Sequence, residues 1–229
     1  MIALPILTGL LAGVLVNWGA DRVSIQVGTD GTPVRFPFGT LPSWRHAIVQ
    51  LALLALYLII WTPFGARAES RLAITNTLIS LYGAILVLVL ITDLEHRLVP
   101  HAIMLPAIAL ATLASFVNPT WESPKRPLLG GALGLACGLT LYLGGILFAR
   151  LLGRIRGRPI SETAFGFGDV TLLTFIGLIV GAPEILLALV IGVFSAGIFG
   201  LLFVLWRGLV EKESALLTAI PYAPFLILG

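Results

Sequence analysis

Two acidic side chains stand where acids are costly. Asp93 follows a long apolar run, 72–91, and opens the segment Asp93-Leu94-Glu95-His96-Arg97-Leu98-Val99-Pro100. Asp169 ends Gly166-Phe167-Gly168-Asp169 and leads into another apolar run. Charge at hydrocarbon depth is expensive, so acids at such places are candidates for function. Two carboxylates brought close together cannot both ionise easily, so they share a proton and titrate as a pair. The ionised member can take a proton from water while the protonated member polarises a peptide carbonyl, as in aspartic proteases. Such a pair needs no metal, no cofactor and no side-chain nucleophile. That suits a chain with one cysteine, Cys137, no Cys-x-x-Cys, and three scattered histidines, His46, His96 and His101. The same two acids could instead carry protons or cations in a transporter. Transporters often show internal repeats around the binding site, and no repeat is visible here.

The elements that must position these acids are membrane helices. The chain of 229 residues is 58% hydrophobic and 11% charged, with mean hydropathy +1.04. A soluble domain carries about 25% charge. Runs of suitable length and polarity predict an all-α polytopic membrane protein of about eight helices: 2–18, 46–63, 71–92, 102–117, 128–149, 169–182, 184–206 and 215–228. The sixth and eighth are short enough to be tilted or re-entrant. The first run lacks a basic leading segment, and Asp21 and Arg22 follow it, so it reads as a retained helix with its N-terminus outside. The chain divides into N-terminal helices, 1–70, with a short polar insert, 19–45, and a core, 71–229.

Basic residues test that topology. With the N-terminus outside, inner segments hold ten Lys and Arg, among them Arg45, Arg97, Arg150, Arg154, Arg156 and Arg158, and outer segments hold four: Arg67, Arg71, Lys125 and Arg126. The excess agrees with the positive-inside rule. It places Asp93 and Asp169 on one side, the cytoplasmic one. The lipid bilayer is the expected surrounding, with no nucleic-acid partner. The prolines of 118–127 mark a rigid turn. Closely spaced glycines, Gly130, Gly131, Gly134 and Gly138, and then Gly192 and Gly197, read as helix-packing positions.

Around the acids, Gly166 and Gly168 could let backbone pass close to a substrate and take conformations closed to other residues. Glu95, His96 and Arg97 read as a solvated rim. Pro100 restricts Val99 and is expected to break the third helix from the fourth.

Taken together, these segments resemble the type IV prepilin peptidases, membrane aspartic proteases of the Gly-x-Gly-Asp class. Asp93, Glu95 and Val99-Pro100 match the first aspartate motif, with Val where Ile or Leu is usual. Gly166, Gly168 and Asp169 match the second, continued by Val170-Thr171-Leu172-Leu173. Gly9-xxx-Gly13-xxx-Asn17-xxxx-Arg22 is similar to the family's opening helix. Ile220-Pro221-Tyr222-Ala223-Pro224-Phe225 is similar to its closing signature, with Ala223 where Gly is usual.

The resemblance implies a leader peptidase of the cell inner membrane with Asp93 and Asp169 as catalytic residues, supported by Gly166, Gly168, Glu95 and Pro100. It implies cleavage of the basic leader of type IV prepilins or type II secretion pseudopilins, after a Gly, on the cytoplasmic side. Glu95 and Glu162 are acidic groups that could meet that leader. Bifunctional members also methylate the new N-terminus with S-adenosylmethionine and carry a larger insert, often with zinc-binding cysteines. The insert here is short and cysteine-free, so zinc is not expected. Methyl transfer, and with it S-adenosylmethionine, stays open.

Overall fold

The computed structural model describes residues 3–26, 44–61, 70–156, 165–210 and 222–229. Among them are eight helices: α1 (Ala3–Gln26), α2 (Trp44–Trp61), α3 (Ser70–His96), α4 (His101–Val117), α5 (Lys125–Arg156), α6 (Phe167–Val180), α7 (Glu184–Val210) and α8 (Ala223–Leu228). Segments of α1, α2, α3, α5 and α7 are long and apolar enough to cross a membrane, while α4 and α6 are shorter apolar helices. Large apolar side chains such as Leu7, Ile59, Leu113, Phe148 and Phe194 are exposed. Hydrocarbon around the bundle would accept them, and backbone polar groups satisfied within helices suit that solvent. This is the all-helical polytopic membrane architecture that composition predicts.

Boundaries shift from those expectations in physically legible ways. α1 runs on through Gly19 to Gln26 rather than stopping at Trp18. α5 extends at both ends, its first turn holding Pro127, where the missing N–H has no intrahelical use. α6 begins two residues ahead of Asp169 and ends at Val180, where Gly181 adopts φ 84. α8 is a six-residue helix rather than a span, and the rest of the expected last helix, 215–221, lies outside the described residues.

The contacts define two compact units. The first holds residues 1–103 and 113–123, hence α1, α2 and α3. Gly9 and Gly13 of α1 lie against Tyr57 and Gln50 of α2, Gln50 Nε2 donates to the Leu10 carbonyl at 2.7 Å, and Asn17 Nδ2 donates to the His46 carbonyl at 3.3 Å. The four-residue spacing of Gly9, Gly13 and Asn17 is thus one helix face seated antiparallel on α2. Val16, Ala20, Val49, Leu53, Ala84 and Ile91 form the core of this unit, with Val87 and Leu88 packed on it.

The second unit holds 104–112 and 124–229. Its centre is α6, with Val170, Leu172, Leu173 and Phe175 all at or below 1% exposure. A helix apolar all round belongs in a core. Four glycines of α5 make the fit. A Cβ on Gly138 would meet Val170 Cα at 3.0 Å, one on Gly131 would meet the Leu178 side chain, one on Gly134 the Leu173 carbonyl, and one on Gly130 the Gly177 carbonyl. α5 and α6 therefore lie antiparallel, almost backbone to backbone. Gly192 of α7 likewise abuts Phe225 and Leu226 of α8, but Gly197 has nothing within 4 Å. The packing expectation holds for the α5 glycines and Gly192 and fails for Gly197.

Candidate active site

Asp93 lies in the last turn of α3 and is 4% exposed. Beside it Thr92 is fully buried, its Oγ1 donating to the Val89 carbonyl at 3.0 Å. The helix is closed one residue past its end: Arg97 adopts φ 54, and its N–H donates to the Asp93 carbonyl at 2.8 Å. A left-handed residue at this point is a usual helix stop, though a glycine would take it with less strain. Val99 is buried, and Pro100 caps the start of α4 with extended backbone. The break expected at Pro100 is therefore present, with Arg97 sharing the work.

Glu95 is not the solvated group the sequence suggests. Arg45 Nη1, at the start of α2, donates to both its carboxylate oxygens, at 2.9 and 2.8 Å. Arg45 Nη2 donates to Asp21 Oδ1 at the end of α1 and lies 3.0 Å from His46 Nε2. His46 Nε2 in turn lies 3.2 Å from Asp21 Oδ2. The side chains of Arg45 and Glu95 are 20% and 26% exposed. His96, with a side chain 5% exposed, has its Nε2 3.8 Å from Glu95. Of the expected rim only Arg97 is exposed. The correction has a physical source: Glu95 is on the face of α3 that packs on α1 and α2, and a carboxylate there needs a cation. Its availability to a basic leader is reduced accordingly, and Glu162 lies outside the described residues.

Asp169 occupies the third position of α6 and is 9% exposed. Its Oδ2 accepts the Gly166 N–H at 2.9 Å, and its own N–H donates to the Gly166 carbonyl at 3.1 Å. A carboxylate in a helix's first turn satisfies an orphan donor and lies at the positive end of the helix dipole. Thr171 Oγ1 donates to the Gly168 carbonyl at 2.7 Å. Gly166 has ordinary extended backbone, φ −91, and Gly168 lies inside the first turn of α6 without a positive φ. The expectation that these glycines need conformations closed to other residues is therefore corrected. A Cβ on Gly166 would make only ordinary contacts, 3.6 Å from Asp169 Oδ2. Both glycines are half-buried beside the acid.

Aromatic rings flank these glycines. Phe165 meets Tyr222 edge to face at 5.9 Å, and Phe167 meets Tyr142 of α5 at the same separation. Tyr222, from the closing signature, thus reaches the site through Phe165, a neighbourhood that sequence reading missed because the two lie 57 positions apart. Arg45 was missed for the same reason; its only sequence signal was a basic residue at a helix start. Among the described residues no group of three or more His, Cys, Asp or Glu could hold a metal. Geometry within each unit therefore delivers a buried carboxylate at a helix end, that of Asp169 held by the Gly166 N–H.

Residues 80–201, more than half of the chain, match the model of the type IV leader peptidase family. Similar curated proteins all bear the name prepilin leader peptidase/N-methyltransferase. The one from Xanthomonas campestris pv. campestris is 27% identical over 74% of this chain and 48% of its own length. Those from Bacillus subtilis and Pseudomonas putida are each 24% identical over 82% of this chain, and over 64% and 57% of their own lengths. The chain thus spans about half to two-thirds of the relatives it matches. No solved structure matches it.

Proposed function

We propose that this chain, which belongs to the type IV leader peptidase family, is a membrane aspartic endopeptidase that removes the basic leader of prepilins or pseudopilins. Asp93 and Asp169 act as one pair. The ionised carboxylate takes a proton from a water, whose oxygen bonds to the scissile carbonyl carbon. The protonated carboxyl donates a hydrogen bond to the carbonyl oxygen. Collapse of that intermediate breaks the C–N bond, and the departing nitrogen takes up a proton from the acid that received it. Proteolysis by this route needs no cofactor.

The observation that carries the reading is that both acids are buried at helix ends within the segment matched by the family. Phe167 is 47% exposed between two half-buried glycines, and an extended substrate runs beside this segment. The cut falls after a Gly on the cytoplasmic side of the inner membrane, the side that the distribution of Lys and Arg favours. The substrate's transmembrane segment lies in the bilayer with the enzyme. The short cysteine-free segment between α1 and α2 favours a peptidase without methyl transfer, and S-adenosylmethionine enters only if methyl transfer occurs.

Co-expression with a candidate prepilin, read by gel shift, tests the reading. A shift to the shorter pilin is expected with the parent chain and none with Asp93→Asn or Asp169→Asn. Undiminished processing by either variant would remove the shared-pair mechanism.

A further inference from the structure

Ala84, Leu88 and Ile91 recur along α3 on the face packed against α1 and α2, and Glu95 is the next position of that series. Residues two apart on a helix differ by about 200° in direction. Asp93 therefore points away from α1 and α2 while Glu95 points at them. The turn that carries both is the last of α3; beyond the Asp93 carbonyl, which Arg97 N–H satisfies, its final carbonyls lack helical partners, and such ends fray. The clamp on Glu95 falls on this turn. Arg45 bridges Glu95 of α3 and Asp21 of α1 from the first turn of α2, so one guanidinium ties three helix ends together.

We infer that Arg45 is a positioning residue, which through Glu95 fixes the rotation of the last turn of α3 and so aims Asp93. The inference rests on the reading of Asp93 as catalytic for its importance to cleavage, but not for the geometry. With the clamp intact, the final turn cannot rotate without pulling a half-buried carboxylate off its cation. Without it, the turn frays, and a displacement of about 1 Å at a reacting group costs on the order of a hundredfold in rate.

The test uses the full chain in detergent. For orientation, Asp93→Cys is combined with Cys137→Ser, and alkylation of the introduced thiol by a soluble maleimide is timed. Adding Arg45→Gln or Glu95→Gln is expected to speed labelling tenfold or more, while the thermal unfolding midpoint stays above the assay temperature. For activity, Arg45→Gln and Glu95→Gln in the otherwise unaltered chain are expected to lower kcat on a prepilin by about a hundredfold with KM little changed. Unchanged labelling in both variants, or cleavage by both within threefold of the parent, overturns the inference. Should Arg45→Gln fail to fold, Glu95→Gln decides alone, because it keeps the side-chain volume and leaves Arg45 bonded to Asp21. Labelling makes no use of catalysis. If Asp93→Asn still cleaved, the catalytic reading would fall while the labelling result still reported on the clamp.

Discussion

Gly138 of α5 lies so close to Val170 of α6 that a Cβ on the glycine would meet the valine Cα at 3.0 Å. Val170 is the neighbour of Asp169, so this contact sets how far along α5 the acid sits. The consequences differ sharply along one helix. Gly138→Val places two methyl groups against fixed backbone, and overpacking of this kind costs about 1–3 kcal/mol. For a chain of this length that lowers the unfolding midpoint by roughly 2–4 °C per kcal/mol. Cleavage should fall further than stability, because α6 can relieve the clash only by moving Asp169. Gly144 has nothing within 4 Å, so Gly144→Ala should be neutral or stabilise by up to about 1 kcal/mol. Thermal unfolding in detergent beside a cleavage assay checks both; equal effects at the two positions would show that the glycine contacts do not position α6.

Removal of either acid should be severe. Asp93→Asn and Asp169→Asn keep the side-chain shape and one oxygen acceptor while removing the carboxyl that takes up and returns the proton. Proton transfer by a placed side chain contributes about 10²–10⁴-fold, and each variant should lose at least that. Folding should survive, since the carboxamide introduced by Asp169→Asn would still offer an oxygen to the Gly166 N–H. Turnover by purified variants, with unfolding midpoints measured alongside, checks this.

The pattern of success in reading the sequence follows the range of the interactions. Helix existence and the packing of Gly130, Gly134 and Gly138 were legible because apolar runs and four-residue spacing are local properties of a helix. The packing of Gly9, Gly13 and Asn17 against α2 was not read, although their four-residue spacing is equally local. The environment of Glu95 was not legible. Its partner Arg45 is 50 positions away, and nothing in the composition of Asp93-Leu94-Glu95-His96 distinguishes a clamped carboxylate from a solvated one. The glycines beside Asp169 stand out by type, but not for the reason that type suggests. Their backbone is ordinary, so what distinguishes them is the missing side chain rather than a special conformation.

At Gly168 the missing side chain can be restored. This residue lies in the first turn of α6 without a positive φ, so Gly168→Val meets no forbidden backbone. The β-branched side chain costs a few tenths of a kcal/mol in helix propensity at most against other residues. A valine side chain would nevertheless stand one residue from Asp169, where the proposed substrate runs. KM for a prepilin should rise, or turnover fall, by at least tenfold with the unfolding midpoint little moved. Normal cleavage by this variant would show that the glycine serves only the turn into α6.

Whether the new N-terminus is methylated turns on the segment between α1 and α2. The curated relatives carry N-methyltransferase in their names. Between the ends of α1 and α2 lie residues 27–43, with no cysteine. Mass spectrometry of a co-expressed pilin separates the outcomes, because methyl transfer adds one CH2 unit to the mature N-terminus while hydrolysis alone does not. The expected product is cleaved and unmethylated. Host background is controlled by a strain lacking other prepilin-processing activity. A methylated product there would place both activities in this chain and would move the search for the S-adenosylmethionine contacts to the neighbourhood of Asp21, Arg45 and His46, polar groups that join α1 to α2.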